Sequence, residues 1–163
     1  MGVKSAYLQI RVSPRQKVLL KRAAESAGQD LSAYVLARAL PPAQIRFAEL
    51  IAMLREDADH RYVLAELNDF LSALGRAELR EAVGQADLVS LSAFLKNYVA
   101  AMVEQVSYIR SVPAPAWTSQ VAPLDIPRFS ISGKGLRPHL LRASPVPFKR
   151  RNIFVDASIG ARV

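Results

Sequence analysis

Residues 7–13, YLQIRVS, alternate Leu8, Ile10 and Val12 with Tyr7, Gln9, Arg11 and Ser13. In an extended segment this puts aliphatic side chains on one face and hydrogen-bonding ones on the other. No other pattern in the chain constrains the fold as much, because a lone amphipathic strand cannot stand by itself. No second strand signal lies nearby, so the cheapest partner is the same strand of another copy, in a two-stranded antiparallel ribbon across a two-fold axis. The residues that follow read as helical. Ser13-Pro14-Arg15-Gln16 is a capping-box start, with Ser13 as N-cap, Pro14 at the first helical position and Gln16 able to reach back. Val18, Leu19, Ala23 and Ala27 continue an apolar stripe, and Gly28 stands where a left-handed C′ residue would stop the helix. Asp30 is an N-cap for a second helix whose inward positions are Leu31, Tyr34, Val35, Ala39 and Leu40.

In this order of strand, capping box, glycine stop and second cap, residues 7–40 resemble the ribbon-helix-helix DNA-binding proteins, a family that includes many bacterial antitoxins. The resemblance implies that a dimer lays its strands in the major groove and reads base edges with Tyr7, Gln9 and Arg11. Independently of the family, Arg can hold guanine through two acceptors and Gln can pair with adenine there. The resemblance further implies a phosphate at the start of the second helix, near the backbone amides of Leu31 and Ser32 with the Ser32 hydroxyl helping. Ser13 and Lys17 complete the expected DNA-binding set.

The distribution of charge supports that reading. Residues 1–40 hold seven basic and two acidic side chains, residues 41–112 seven and ten, and residues 113–163 eight and two. Two basic ends therefore flank an acidic middle; the first suits a polyanion such as double-stranded operator DNA, and the second needs a partner of its own. The chain has no cysteine, so disulfides are excluded. Met1 to Gly28 lacks the apolar core of a signal peptide and no stretch approaches a membrane span, so a cytoplasmic protein with no membrane partner is expected.

Past Pro41-Pro42, Ile45, Leu50, Ile51 and Leu54 mark an apolar helical face over residues 43–56. Residues 60–74 repeat the pattern with Val63, Leu64, Leu67, Phe70, Leu71 and Leu74 before Gly75, and residues 76–83 form a short helix ended by Gly84. Asp87 is expected to cap a long helix to about Arg110, with Leu88, Leu91, Leu95, Tyr98, Met102, Val106 and Ile109 inward. This apolar stripe is more simply a core or a dimer seam than a cofactor site.

Seven of the ten prolines lie between Pro113 and Pro147, which rules out long helices and favours an extended path. The segment is too apolar for a solvated linker, with Trp117, Val121, Leu124, Ile126 and Phe129 among its residues. Extended, apolar and basic, it reads as an arm that wraps a partner and orders on binding; the alternative is that it folds back over the chain's own helices. Ile153, Phe154 and Val155 could add a strand to an exposed sheet edge, after the cations Lys149, Arg150 and Arg151. Trp117 and the run LRPHLLRASPVPFKRRNIFVD also resemble the C-terminal part of antitoxins encoded beside nucleotidyltransferase-type toxins of the abortive-infection class. That resemblance implies a toxin-binding set of Trp117, Phe129, Arg137, Phe148, Lys149, Arg150, Arg151, Asn152 and Phe154.

Catalytic signals are sparse. His60 and His139 have no paired spacing, Asp57 and Asp59 read as a solvated helix junction, and Gly133-Lys134-Gly135 lacks the flanking strand and helix of a phosphate loop. Neither an enzyme nor a metal or other cofactor is expected. The fold class expected is mainly α: a ribbon-helix-helix domain over residues 1–42, an α-helical extension over 43–112, and an extended arm with little regular structure over 113–163. The expected function is that of a type II antitoxin, a homodimer through its N-terminal strand that represses its own operon and neutralises a cognate toxin. The competing reading is a DNA-binding scaffold of a conjugation or partition complex; a metal-responsive repressor fits poorly with the missing cysteines.

Overall fold

Ser13 starts the first helix through the reciprocal bonds its spacing predicts: its Oγ accepts from the Gln16 amide at 3.3 Å and its own amide donates to Gln16 Oε1 at 2.9 Å. In the computed structural model, which describes residues 9–39, 41–56, 59–130 and 134–156, helix α1 runs Pro14–Ser26 and α2 runs Leu31–Ala39. Gly28 takes φ +65°, and the amides of Gly28 and Gln29 donate to the carbonyls of Glu25 and Ala24, which closes α1 as a Schellman motif. Asp30 caps α2, its Oδ1 accepting from the Ala33 amide at 2.9 Å. The two helices and the residues before them make up the first of two units, Met1–Leu40, the second being Pro41–Val163.

The N-terminal ribbon is not found. Gln9 to Ser13 form no strand, and the strands among the described residues are β1, Arg128–Phe129, and β2, Ile153–Phe154; Tyr7 and Leu8 lie outside the described residues. A strand exists only through a hydrogen-bonded neighbour, whatever its alternation, and among the described residues this segment has none. Its aliphatic side chains stay in water, Ile10 at 58 % and Val12 at 40 % of full exposure.

The second unit is built on helices α3 (Pro42–Glu56), α4 (His60–Ala73), α5 (Arg76–Val83) and α6 (Ala93–Ile109). Helix α3 packs on α4 and α5, and α4 on α6. Phe47, Leu50, Ile51 and Leu54 meet Val63, Leu67, Leu71 and Leu79 in one continuous core that takes in Val99, Met102 and Val106 of α6. Helix α6 starts at Ala93 rather than after Asp87, because Ser92 Oγ accepts from the Leu95 amide and supplies the cap. Asp87 instead pairs with Arg55 at 2.7 Å and accepts from the Val89 amide. At its other end α6 closes as a second Schellman motif: Ser111, at φ 53°, donates to the Tyr108 carbonyl and Val112 to that of Ser107.

The expected extended arm is also corrected. Residues 113–156 fold back on the helices through α7 (Ala116–Gln120), β1, a 3-10 turn at Lys134–Leu136, α8 (Arg137–Ala143), α9 (Val146–Lys149) and β2. No helix here is longer than seven residues, as the prolines require, but the expected extended path is not taken: Pro115, Pro138, Pro145 and Pro147 stand at or before helical first turns, where a missing N–H costs nothing. Strands β1 and β2 pair in parallel, Arg128 opposite Ile153 and Phe129 opposite Phe154. The expected edge-seeking run therefore finds its partner within the chain. Ser144 Oγ occupies its other side, accepting from the Val155 amide at 2.9 Å and donating to the Val155 carbonyl at 2.7 Å. Phe148, Ile153 and Val155 belong to the core, and Phe148 meets Tyr98 edge to face at 5.3 Å. Burial pushes the Tyr98 phenol up to about 12. No helix among the described residues is long and apolar enough to cross a membrane.

Candidate functional site

In the first unit the residues from Ile10 to Val12 and the facing sides of α1 and α2 enclose a cleft of about 910 Å³. Leu20, Leu31 and Val35 line its apolar part, and Arg11, Lys17 and Arg38 stand around it, Arg38 over the Tyr34 ring at 5.4 Å. Between residues 9 and 39 six cations, Arg11, Arg15, Lys17, Lys21, Arg22 and Arg38, face two acids, Glu25 and Asp30. None of the six forms an ion pair among the described residues, so their field reaches solvent. Of the sequence-predicted DNA contacts, Gln9, Arg11, Lys17, Leu31 and Ser32 are exposed. Ser13 is committed to capping α1, and Tyr7 lies outside the described residues. The unit barely has a core: Ala24 is its one buried apolar side chain among those described, while Val18 and Leu19 are 51 % and 64 % exposed.

In the second unit the residues expected to meet a toxin divide. Arg151 is 5 % exposed and turns inward. Its Nη2 donates to Glu104 Oε1 and the Thr118 carbonyl, both at 2.6 Å, and its Nη1 to Asn97 Oδ1 and the Val121 carbonyl, both at 3.2 Å. Phe148 and Phe154 are buried, and Phe154 stacks on Phe129 at 4.8 Å under the Arg137 guanidinium. Trp117 donates from Nε1 to the Val83 carbonyl at 2.8 Å. Asn152 takes φ 56° and donates to the Leu124 carbonyl at 2.5 Å. Lys149 donates to the Arg142 carbonyl at 2.7 Å, which leaves Arg150 and Arg137 as the exposed cations of the set.

Sequence reasoning missed the partners of this network. Asn97 is a buried amide in α6, and Glu104 is the one acid of that helix; a lone carboxylate there asks for a cation from elsewhere in the chain. Asp59, weighed as half of a carboxylate pair with Asp57, has its own cation: Arg61 at 2.7 Å holds its carboxyl down to about 2. Asp57 lies outside the described residues. No group of three metal-ligating side chains occurs among the described residues.

Residues 7–83 match the family model described as Antitoxin TacA 1-like. No curated protein and no solved structure matches the chain. The TacA 1-like stretch takes in the described part of the first unit and helices α3, α4 and α5 of the second. The similarity to an antitoxin family thus covers a segment of just under half the chain. The stretch ends at Val83, whose carbonyl is the acceptor for Trp117, so the second unit's core continues past it without a break. Residues 113–163 fall outside the TacA 1-like stretch.

Proposed function

We propose that the chain is an antitoxin in which the first unit dimerises and binds operator DNA, while the second unit binds and neutralises a cognate toxin. The observation that carries this is the antitoxin family match, which runs through the whole described part of the first unit. The chemistry of that unit supports the finer parts. A helix pair with one buried alanine and with Ile10, Val12, Val18 and Leu19 exposed lacks the burial to stand alone, and a second copy covers such a face at least cost. Its six unpaired cations suit a phosphate backbone. Arg11 and Gln9, exposed ahead of α1, are the residues to read base edges; Lys17 and the amides at Leu31 and Ser32 are the phosphate contacts.

Two measurements test this. Expressed alone, the protein encoded beside this chain should arrest growth, and co-expression of the full chain should restore it; continued arrest would sink the antitoxin reading. On promoter DNA, Arg11→Ala should weaken binding by about 1–3 kcal/mol and relax preference at one base pair. Lys17→Ala should lower the slope of log affinity against log salt by about one while leaving sequence preference unchanged. Equal losses on all sequences for Arg11→Ala would remove it from base readout.

A further inference from the structure

We propose that the groove between the C-terminal half of α6, α7 and the corner joining α8 to α9 seats an extended segment of the toxin that carries aliphatic side chains and a carboxylate. This rests on the antitoxin reading and deepens it. The groove holds about 850 Å³, within the range of sites that enclose a specific ligand group.

Its walls are unusual in composition. Pro115, Pro145 and Pro147 line it, so they present rigid apolar surface. The carbonyls of Pro115 and Pro145 are already used by the amides of Thr118, Phe148 and Lys149. The walls therefore offer little backbone for strand addition, and recognition falls to side chains. On the rim Tyr108 and Val146 are 80 % and 56 % exposed, although both are large and apolar enough to be costly in water. In the floor the Ser107 hydroxyl is buried with no hydrogen-bond partner among the described residues, a deficit that an incoming polar group would relieve.

Charge selects the occupant. Glu104 is the one carboxylate in the lining, and Arg151 already neutralises it at 2.6 Å. Arg150 lines the same groove, is exposed, and has no acidic partner among the described residues. The groove thus presents one uncompensated cation beside an apolar trough, complementary to a segment with an acidic residue next to aliphatic ones. The same segment of a second copy is a poor occupant, since residues 113–163 carry eight basic against two acidic side chains and would repel a like surface. Tyr and Arg flanking a trough are also the residue types that dominate binding energy at interfaces.

The test uses the full chain and the protein encoded beside it, with affinity read by calorimetry and fold by thermal melting. Arg150→Glu and Tyr108→Ala are surface changes and should melt as the parent does. Each should weaken toxin binding at least tenfold, and the pair together a hundredfold or more, whereas Arg76→Glu on α5 should stay within twofold. Parental affinity in the folded Arg150→Glu and Tyr108→Ala variants would overturn the groove and leave the antitoxin reading intact. Absence of binding by the parent would overturn both. Loss of promoter affinity in Arg150→Glu with toxin affinity unchanged would give the groove to DNA and likewise refute the proposal.

Discussion

Ending the chain after Val112 is expected to abolish cooperative unfolding of the second unit. The deletion removes Phe148, Ile153 and Val155, each at most 1 % exposed, from the core. Burial of such side chains is worth ~1.5–3 kcal/mol apiece. Together they approach the whole stability of a domain, about 5–15 kcal/mol. The same cut uncovers Tyr98, strips Trp117 and Leu124 from the core's edge and leaves Glu104 and Asn97 without Arg151. Urea titration followed by circular dichroism at 222 nm should show a broad, shallow decline in place of a sigmoid. A sharp transition at the full-length midpoint would mean that α3 to α6 stand without the C-terminal segment.

Arg151→Met should destabilise the second unit by about 3–5 kcal/mol, the cost of removing one partner from a buried ion pair. Methionine keeps much of the length and apolar stem but supplies no donor, so Glu104 keeps a largely buried negative charge, the Val121 carbonyl loses the guanidinium bond, and the Thr118 carbonyl keeps only the Val121 amide. For a unit of this size the melting temperature should fall by about 6–20 °C. Adding Glu104→Leu to Arg151→Met should recover part of the loss, because the stranded charge is then gone. If the single variant melts within about 2 °C of the parent, the guanidinium is a surface group and the network does not hold the segment down.

How much of this was legible beforehand depended on whether the cause was local. The start of α1, its stop at Gly28, helix α5 between Gly75 and Gly84, and most of the inward faces of α3 and α4 follow from spacing and caps, and these appear where periodicity puts them. Helix α6 was expected too early because Asp87 and Ser92 are both good caps; Arg55, distant in sequence, takes the aspartate. Residues 113–156 depart from expectation for a similar reason. Its elements are at most seven residues long, so no periodicity builds up, and what orders them is contact of α7 and α9 with α6 and of the remaining elements with one another. In the run Lys149-Arg150-Arg151 the three cations look alike, yet one is buried against an acid 47 residues earlier and its neighbour is exposed. On the first unit, the proposed DNA contacts Gln9, Arg11 and Lys17 could be named from residue type alone, while the expected strand that carries Gln9 and Arg11 is absent, because alternation by itself supplies no hydrogen-bonded neighbour.

Trp117 is the only tryptophan in the chain, and its indole N–H is bonded to the carbonyl of Val83, the last residue of the antitoxin-like stretch. The second unit therefore carries its own optical gauge where residues past the antitoxin-like stretch meet its end. Indole emission shifts to longer wavelength when the ring passes from apolar surroundings into water, so an event that lifts α7 off the helices becomes visible in real time without a label.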